Sequence, residues 1–566
     1  VERAAILYER GGKWHRSALE RSEQGYHEGL IEDIGDGTRY FIEADGRGLP
    51  DPCSPFQPEG VHGPSMLVDL SGFEWTDRTW QGIGLRDAVI YELHIGTFTS
   101  QGDYLSAIDR LDELVALGIT VVELLPVAQC PGAWNWGYDG VGLFAPNHNY
   151  GSPADLCRLI DTCHARGLAV VHDVVYNHLG PEGNYLGAFG PYFAERPSPW
   201  GEAPAFDQKS RAAVREFARS NAHYWIEQYH FDGLRFDAIG AIEEAGSPHI
   251  INQIGTDLKQ YAKETGREVL LFGESNFYQP EFLPEEGGTL DAIWSDDLCH
   301  AANASVGPHG LHGGRSYRGI EDYEECLEQG YLYRRADDGS LRRVKEPTRG
   351  WIERCVNQIQ NHDTVGNSPG GQRLHQIASK QAQRSLAGLC LLYPAIPLIF
   401  MGEEFAAPTP FHFFTDFEDP ALRTAVEQGR AQEFAHHDWS DSMSPVDPQA
   451  FKGSKLPSQA DGDAETLEWY KFLIATRKQW QSAGMLASEA LHINRLPDRP
   501  ALGLEYRGDG TTLGVYSNLG EHTAILTLGL QAKIIGSSGP VSRESRQIQL
   551  GPYASVVIHG AAMWAA

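Results

Sequence analysis

Four short segments place polar residues in patterns that suit acid–base work on a sugar. They are DVVYNH (173–178), GLRFDAIGAI (233–242), FGES (272–275) and QNHDTVGN (360–367). Together they supply Asp237, Glu274 and Asp363, with His178, Arg235 and His362 beside them. Three carboxylates meeting in one cleft fit hydrolysis of a glycosidic bond, which needs one carboxylate and one carboxylic acid flanking the bond. At a separation of about 5–5.5 Å the carboxylate attacks the sugar itself and configuration is retained. The acid must stay protonated near neutral pH, through burial or a neighbouring negative charge. Arg235 stands two residues before Asp237, on the same face of a strand, where it can hold that carboxylate ionised and oriented. A single carboxylate at a strand end is ordinarily a helix cap or a solvated residue. The coincidence of four such ends carries the reading.

For these ends to converge, their strands must be parallel and close into a barrel. Eight apolar runs fit: AVIYELHI (88–95), ITVVELLP (119–126), LAVVHDVV (168–175), FDGLRFD (231–237), VLLFGE (269–274), AIWSDD (292–297), CVNQIQN (355–361) and IPLIFMG (396–402). Helical spacing lies between them. Leu105, Ile108, Leu111 and Val115 fall three or four apart, and a helix is predicted near 153–166. Another, near 209–229, puts Val214, Phe217, Ala218, Asn221 and Trp225 on one face. The alternation predicts an α/β fold, a (β/α)8 TIM barrel over 86–484. Long insertions follow strands 3, 6 and 8, at 176–208, 298–350 and 403–462, where a substrate site would be built. Residues 1–85 read as an N-terminal β-sandwich from AAILYE, GYHEGLIE and TRYFIEA, and are expected to lack a first strand. Residues 485–566 read as a C-terminal antiparallel β-sandwich from ALGLEYR, TLGVYSN, TAILTLG and SVVIHG.

The chain has 566 residues, of which 41% are hydrophobic and 22% charged, enough for a sizeable core without disulfide staples. Its formal charge of −30 argues against a nucleic-acid backbone or an anionic membrane as partner and is compatible with a neutral substrate. The eight cysteines, from Cys53 to Cys390, show no C-x-x-C pair and no zinc-ligand spacing. They read as buried thiols of a reduced compartment, Cys299 as a barrel packing residue. No stretch is long and apolar enough to span a bilayer, and VERAAILYERGGKWHR lacks the order of a signal peptide. A cytoplasmic location is the expectation, with no cofactor and no metal.

In order and in strand position, the four segments resemble the four sequence regions of the α-amylase superfamily of glycoside hydrolases. The resemblance implies that Asp237 is the nucleophile of a covalent glycosyl intermediate and Glu274 the general acid, then base. It makes Asp363 the residue that binds sugar hydroxyls and stabilises the distorted sugar. His178, Arg235 and His362 would complete the −1 subsite, and Tyr138 in NWGYDG (135–140) would be its aromatic platform. Trp136 and Asp139 of that motif join the substrate-binding set, whereas Asp173 is expected to orient its neighbours. Asn177 matches a calcium-ligating position of some amylases, but no full ligand set accompanies it.

IYELHIGTFT (90–99), WGYDGVGLFAP (136–146), QNHDTVGNSPGGQRL (360–374) and FMGEEFAAPTPFHFFTDFEDPALRTAVEQGRAQEF (400–434) are similar to the maltooligosyltrehalose trehalohydrolase family. That likeness implies cleavage of the α-1,4 bond beside a terminal α,α-trehalose, releasing trehalose and a maltooligosaccharide. The pathway partner it implies is maltooligosyltrehalose synthase. The −1 sugar is an ordinary glucose, so trehalose must be read on the leaving-group side. The loops after strands 7 and 8 are the expected readers, with Glu404 as hydroxyl acceptor and Phe405, Phe411 and Phe413 as stacking surfaces. The alternative is a 1,4-α-glucan branching or debranching enzyme of the same superfamily. A non-enzymatic sugar-binding barrel typically lacks one carboxylate, and all three are present here.

Overall fold

Short apolar runs without polar alternation are buried on both faces in a parallel barrel. All eight form strands in the computed structural model: β1 (Ile90–Leu93), β2 (Val121–Leu124), β3 (Ala169–Val174), β4 (Gly233–Phe236), β5 (Leu270–Ser275), β6 (Ala292–Ser295), β7 (Cys355–Asn357) and β8 (Ile396–Phe400). The structure describes all residues except 24, 208–211, 243, 245–247, 308–310, 313–314, 337–339, 345–348, 434–441, 509 and 565–566. The strands pair in sequence order and β8 closes on β1, with Leu398 opposite Ile90. Every rung is parallel, so all eight C-terminal ends lie on one face.

Apolar side chains fill the barrel interior, among them Val121, Val171, Phe272, Trp294 and Leu398. Trp80 packs against this cluster from the segment that precedes β1. Its indole N–H donates to Asp232 Oδ1 at 2.6 Å, and Asp232 Oδ2 accepts from the Val170 amide at 2.8 Å. Asp77 lies between His164 and His230, and the Trp75 ring stacks on His230 with centroids 3.8 Å apart. These contacts anchor the preceding segment to the barrel.

Local signals set the helices. Pro153–Ala165 begins at Ser152 with a reciprocal capping box to Asp155 and Pro153 in its first turn. Ala212–Gln228 buries Val214, Ala218, Asn221 and Trp225, with Phe217 half-buried on the predicted face. The predicted start of that helix at 209–211 lies outside the described residues, as does Phe434 of the last similarity segment. The stretch read as one helix around 105–115 is two, Tyr104–Ile108 and Leu111–Leu117. Asp103 caps the first, and the chain breaks step at Asp109–Arg110. No helix among the described residues is long and apolar enough to cross a membrane.

The N-terminal strands form one five-stranded antiparallel sheet, with Ala4–Arg10 between Lys13–Ala18 and Arg39–Ala44. Of GYHEGLIE only His27–Glu28 is a strand, in a ribbon with Glu20–Arg21. At the other end, a five-stranded and a four-stranded antiparallel sheet enclose their own core, including Leu526, Ile548, Val556 and Ile558. The first of their strands is Leu491–Arg495. The strand Thr511–Asn518 packs on the barrel helix Lys380–Leu391, where Ser517 Oγ donates to the Ser385 carbonyl at 3.0 Å.

Gly233 opens β4 where the barrel has no room for a side chain. A Cβ there would stand 2.1 Å from the Leu270 carbonyl oxygen of β5. Gly233→Ala is expected to cost at least about 1–3 kcal/mol of stability, because the obstruction is backbone and not a flexible side chain. Urea denaturation would register the loss. An unchanged midpoint would show that β4 and β5 separate freely.

Candidate active site

The C-terminal ends of β3 to β7 open into a cavity of about 880 Å³, within the usual range for ligand pockets. The Arg235 guanidinium organises its floor. It is fully buried, 4.4 Å from the centroid of the Trp294 ring. Nη1 donates to both oxygens of Asp173 at 2.8 Å and to Asp237 Oδ1 at 2.9 Å. Nη2 donates to Glu274 Oε2 at 2.7 Å. Register makes this possible. Asp173 lies opposite Arg235, and Arg235 opposite Phe272. Asp237 and Glu274 each follow two residues later, on the same face and at the same level.

The two carboxyl groups are held differently. Asp237 uses both oxygens, since Asn177 Nδ2 donates to Oδ2 at 2.6 Å. Glu274 takes both of its bonds on Oε2, the second from the Ala238 amide at 3.0 Å. Ala238 has φ of +40°, a left-handed conformation costly for a residue with a Cβ, and this turn aims its N–H at Glu274. Glu274 Oε1 receives no hydrogen bond from any described residue and is left to the cavity. Burial, reinforced by Asp237, Asp296 and Asp363, raises the Glu274 carboxyl well above the ordinary range, against the pull of Arg235. The arrangement offers an oriented carboxylate beside a protonated carboxylic acid.

Asp363 stands across the site on the short helix His362–Gly366, which Asn361 caps. Its carboxyl is half-exposed to the cavity and accepts from Asn367 at 3.1 Å. His362 donates from Nδ1 to Glu92 at 2.5 Å, and its backbone N–H reaches the other oxygen at 3.1 Å. Burial alone would lower this imidazole, but Asp363 and Glu92 raise it to about 10. The Tyr138 ring stacks on His362, 5.0 Å between centroids, and its hydroxyl donates to Asp173 at 2.6 Å. Trp136, Asp139 and His178 also line the cavity. Asp139 Oδ2 accepts from Asn135 and Thr415, tying the β2 loop to the β8 loop. Burial lowers His178, so its imidazole is neutral beside Asn177, despite Asp237 and Asp139. The Asn177 amide is engaged by Asp237 and His178.

Four residues of the expected set do not line the cavity, Arg235 because it is fully buried beneath it. Glu404 is fully buried behind β8, accepting from the Tyr91 hydroxyl at 3.1 Å, and burial raises its carboxyl to about 7. Phe405 is fully buried against Gly462. Phe411 stacks behind Trp136 at 5.4 Å and serves as its backing. The chain turns inward directly after β8, at Gly402 and Ala406, both with positive φ, so these apolar rings enter the core. Phe413 does line the cavity, perpendicular to Trp136 and under the Arg430 guanidinium at 4.2 Å.

Sequence reasoning missed Trp200, Asp296, Arg315 and Arg430, which also line the cavity. Trp200, in the insertion after β3, is 45% exposed, so a large aromatic face is available to a ligand. It also passed over Glu92 and Glu123, which face each other in register across β1 and β2. A charged residue at the centre of two otherwise apolar runs was a signal for both.

The α-amylase catalytic-domain family model matches residues 41–190. A malto-oligosyltrehalose trehalohydrolase of Saccharolobus solfataricus is 39% identical over 472 residues, covering 82% of this chain and 81% of that one. Its counterpart from Arthrobacter ramosus is 39% identical over 482 residues, covering 81% and 83%. A crystal structure from Salmonella typhimurium, provisionally named an alpha amylase, superposes with a TM-score of 0.87 at 33% identity, covering 99% of this chain and 96% of that chain.

Arg235 is the sole cation bonded to Asp173, Asp237 and Glu274 among the described residues. Arg235→Met would leave these buried carboxyls uncompensated, and a stability loss of about 3–5 kcal/mol is expected. Arg235→Lys keeps the charge but not the fork, and should lose less. Chemical denaturation of both variants checks the order. A Met variant as stable as the parent would refute the cluster's dependence on this guanidinium.

Proposed function

Because the chain belongs to the malto-oligosyltrehalose trehalohydrolase family, we propose that it hydrolyses the α-1,4-glucosidic bond next to the terminal trehalose of a maltooligosyltrehalose, with retention of configuration. The products are trehalose and a maltooligosaccharide. The observation that carries the mechanism is the shared guanidinium, which fixes Asp237 and Glu274 side by side while leaving Glu274 Oε1 open. One cation touching both carboxyl groups favours the short spacing of a retaining pair.

Asp237 attacks the anomeric carbon of the −1 glucose. As the glycosidic bond breaks, Glu274 Oε1 gives its proton to the departing oxygen of trehalose. A covalent glycosyl ester on Asp237 results. Glu274, now a carboxylate, takes a proton from water, whose oxygen displaces Asp237 from the same carbon. Asp363 and the charged His362 bind hydroxyls of the distorted sugar, with Tyr138 beneath the ring. Phe413 and Trp200 offer the apolar surfaces for the remaining glucose units. A maltooligosyltrehalose synthase would supply the substrate, and the reduced thiols suit a cytoplasmic setting.

Paired digestion of maltotriosyltrehalose and maltopentaose, followed by chromatography, tests the specificity. Prompt trehalose release with much slower cleavage of maltopentaose is expected. Equal cleavage of both, or new branches in amylose, would overturn the trehalose assignment. Asp237→Asn should abolish turnover while leaving substrate binding nearly intact, because the missing bond forms only beyond the ground state.

Glu274 acts in its protonated form, and its proton affinity is raised. The rate of the first step should therefore hold through neutral pH and fall as pH rises past that of the acid. Glu274→Gln should lose this alkaline limb, together with most of the rate for substrates with poor leaving groups. A limb that persisted in Glu274→Gln would place the acid elsewhere.

A further inference from the structure

β6 ends in two adjacent aspartates whose environments are opposite. Asp297 points into the protein and is saturated. Its Oδ1 accepts from Arg315 at 3.1 Å and from the Tyr317 hydroxyl at 2.6 Å, and its Oδ2 accepts from the Leu332 and Tyr333 amides. Asp296 lines the cavity, is only 8% exposed, and receives no hydrogen bond from any described residue. Ser275 of β5 lies opposite Ser295 of β6, so Asp296 follows directly beside the strand end that carries Glu274. An enclosed carboxyl with no donor is costly unless something else supplies one.

We propose that Asp296 is a substrate-binding residue, its carboxylate accepting hydrogen bonds from sugar hydroxyls at the subsite beside Glu274. The proposal rests on the glycosidase reading of the same cavity. Sugar hydroxyls are neutral donors, which a cavity already holding Asp237, Glu274 and Asp363 can admit without adding charge. Asp296 opens the helix Asp296–Val306, where an anion is favoured by the unpaired amides and the helix dipole. Burial raises its carboxyl to about 7, with Asp363 and Asp297 adding to the rise and Arg315 and Arg235 opposing it. The accepting form is the carboxylate, so binding through Asp296 should strengthen as pH rises through the neutral range. The other titratable groups around it are Glu274, Asp363, Asp297, Cys299, His300 and Tyr331, which are the same in every variant compared.

The test measures calorimetric binding of maltotriosyltrehalose in the inactive Asp237→Asn background, with and without Asp296→Ala. A charge-assisted hydrogen bond is lost, so affinity should fall on the order of 10- to 100-fold. Asp296→Asn, which retains one acceptor oxygen and the shape, should lose less and should also lose the part of the pH dependence that belongs to Asp296. Thermal unfolding of both variants separates misfolding from lost contact, and the Asn variant serves if Asp296→Ala fails to fold. Affinities within twofold of the background, or an unaltered pH dependence in Asp296→Asn, would overturn the proposal. Absence of trehalose release by the unmutated chain would instead overturn the proposed activity and leave this binding comparison standing.

Discussion

One buried guanidinium sets the terms for the rest of the molecule. Arg235 is removed from water with three carboxyl groups around it, and the three acids outnumber the one cation. Such a cluster is stable only when geometry is close to ideal and further donors satisfy the remaining lone pairs. The barrel supplies both. Parallel register puts Asp173, Arg235, Asp237 and Glu274 on one interior face of three neighbouring strands. Tyr138, Asn177 and the Ala238 amide supply the further donors. The charge imbalance is relieved by protonation, with Glu274 raised well above the ordinary range and Asp173 raised to about 6 by burial, despite Arg235. The electrostatic problem of folding and the chemical requirement for an acid thus have the same solution.

The barrel and the centre of its site were legible in the sequence because they share one periodic cause. Each strand is a short apolar run, and a polar residue at its C-terminal end must emerge on the common face. Asp237 and Glu274 follow from that rule with no knowledge of loops, and Asp363 lies on the helix that opens shortly after β7. The insertions obey no such period. Glu404, Phe405 and Phe411 sit in a segment whose direction depends on a left-handed turn at Ala406, which no residue type announces. Aromatic rings there are equally suited to a sugar and to the core, and Trp136 and Gly462 happen to be the partners. Asp296 and Asp297 illustrate the same limit at single-residue scale. Adjacent and identical in type, they differ only in what tertiary structure brings to each.

A second layer lies beneath the first. Glu92 and Glu123 face each other across β1 and β2, and both are buried. Glu92 is bonded to His362, whereas neither oxygen of Glu123 has a hydrogen-bond partner among the described residues. Burial, together with Glu92, raises Glu123 well above the ordinary range, so it is held as a neutral acid. Against burial, Asp363 and Glu92 raise His362 to about 10, so its ring is held as the imidazolium. This fixes the charge state of a ring that Tyr138 stacks on and that borders Asp363.

Where bonding capacity remains unused is therefore informative. In the floor of the site most polar atoms already have protein partners, and a surface so satisfied holds a fixed shape. Among the acids that line the cavity, those with capacity to spare are Glu274 through Oε1, the half-exposed Asp363 and Asp296. A glucose ring at the centre would meet the first two, as any α-glucan would. Discrimination among substrates that share this glucose must come from groups outside the mutually bonded floor. Trp200, Phe413 and Asp296 meet that condition, and they arrive from the insertions after β3 and β8 and from the end of β6. The strand ends can then remain a general glycosidic machine while the longer connections set what is accepted beyond it.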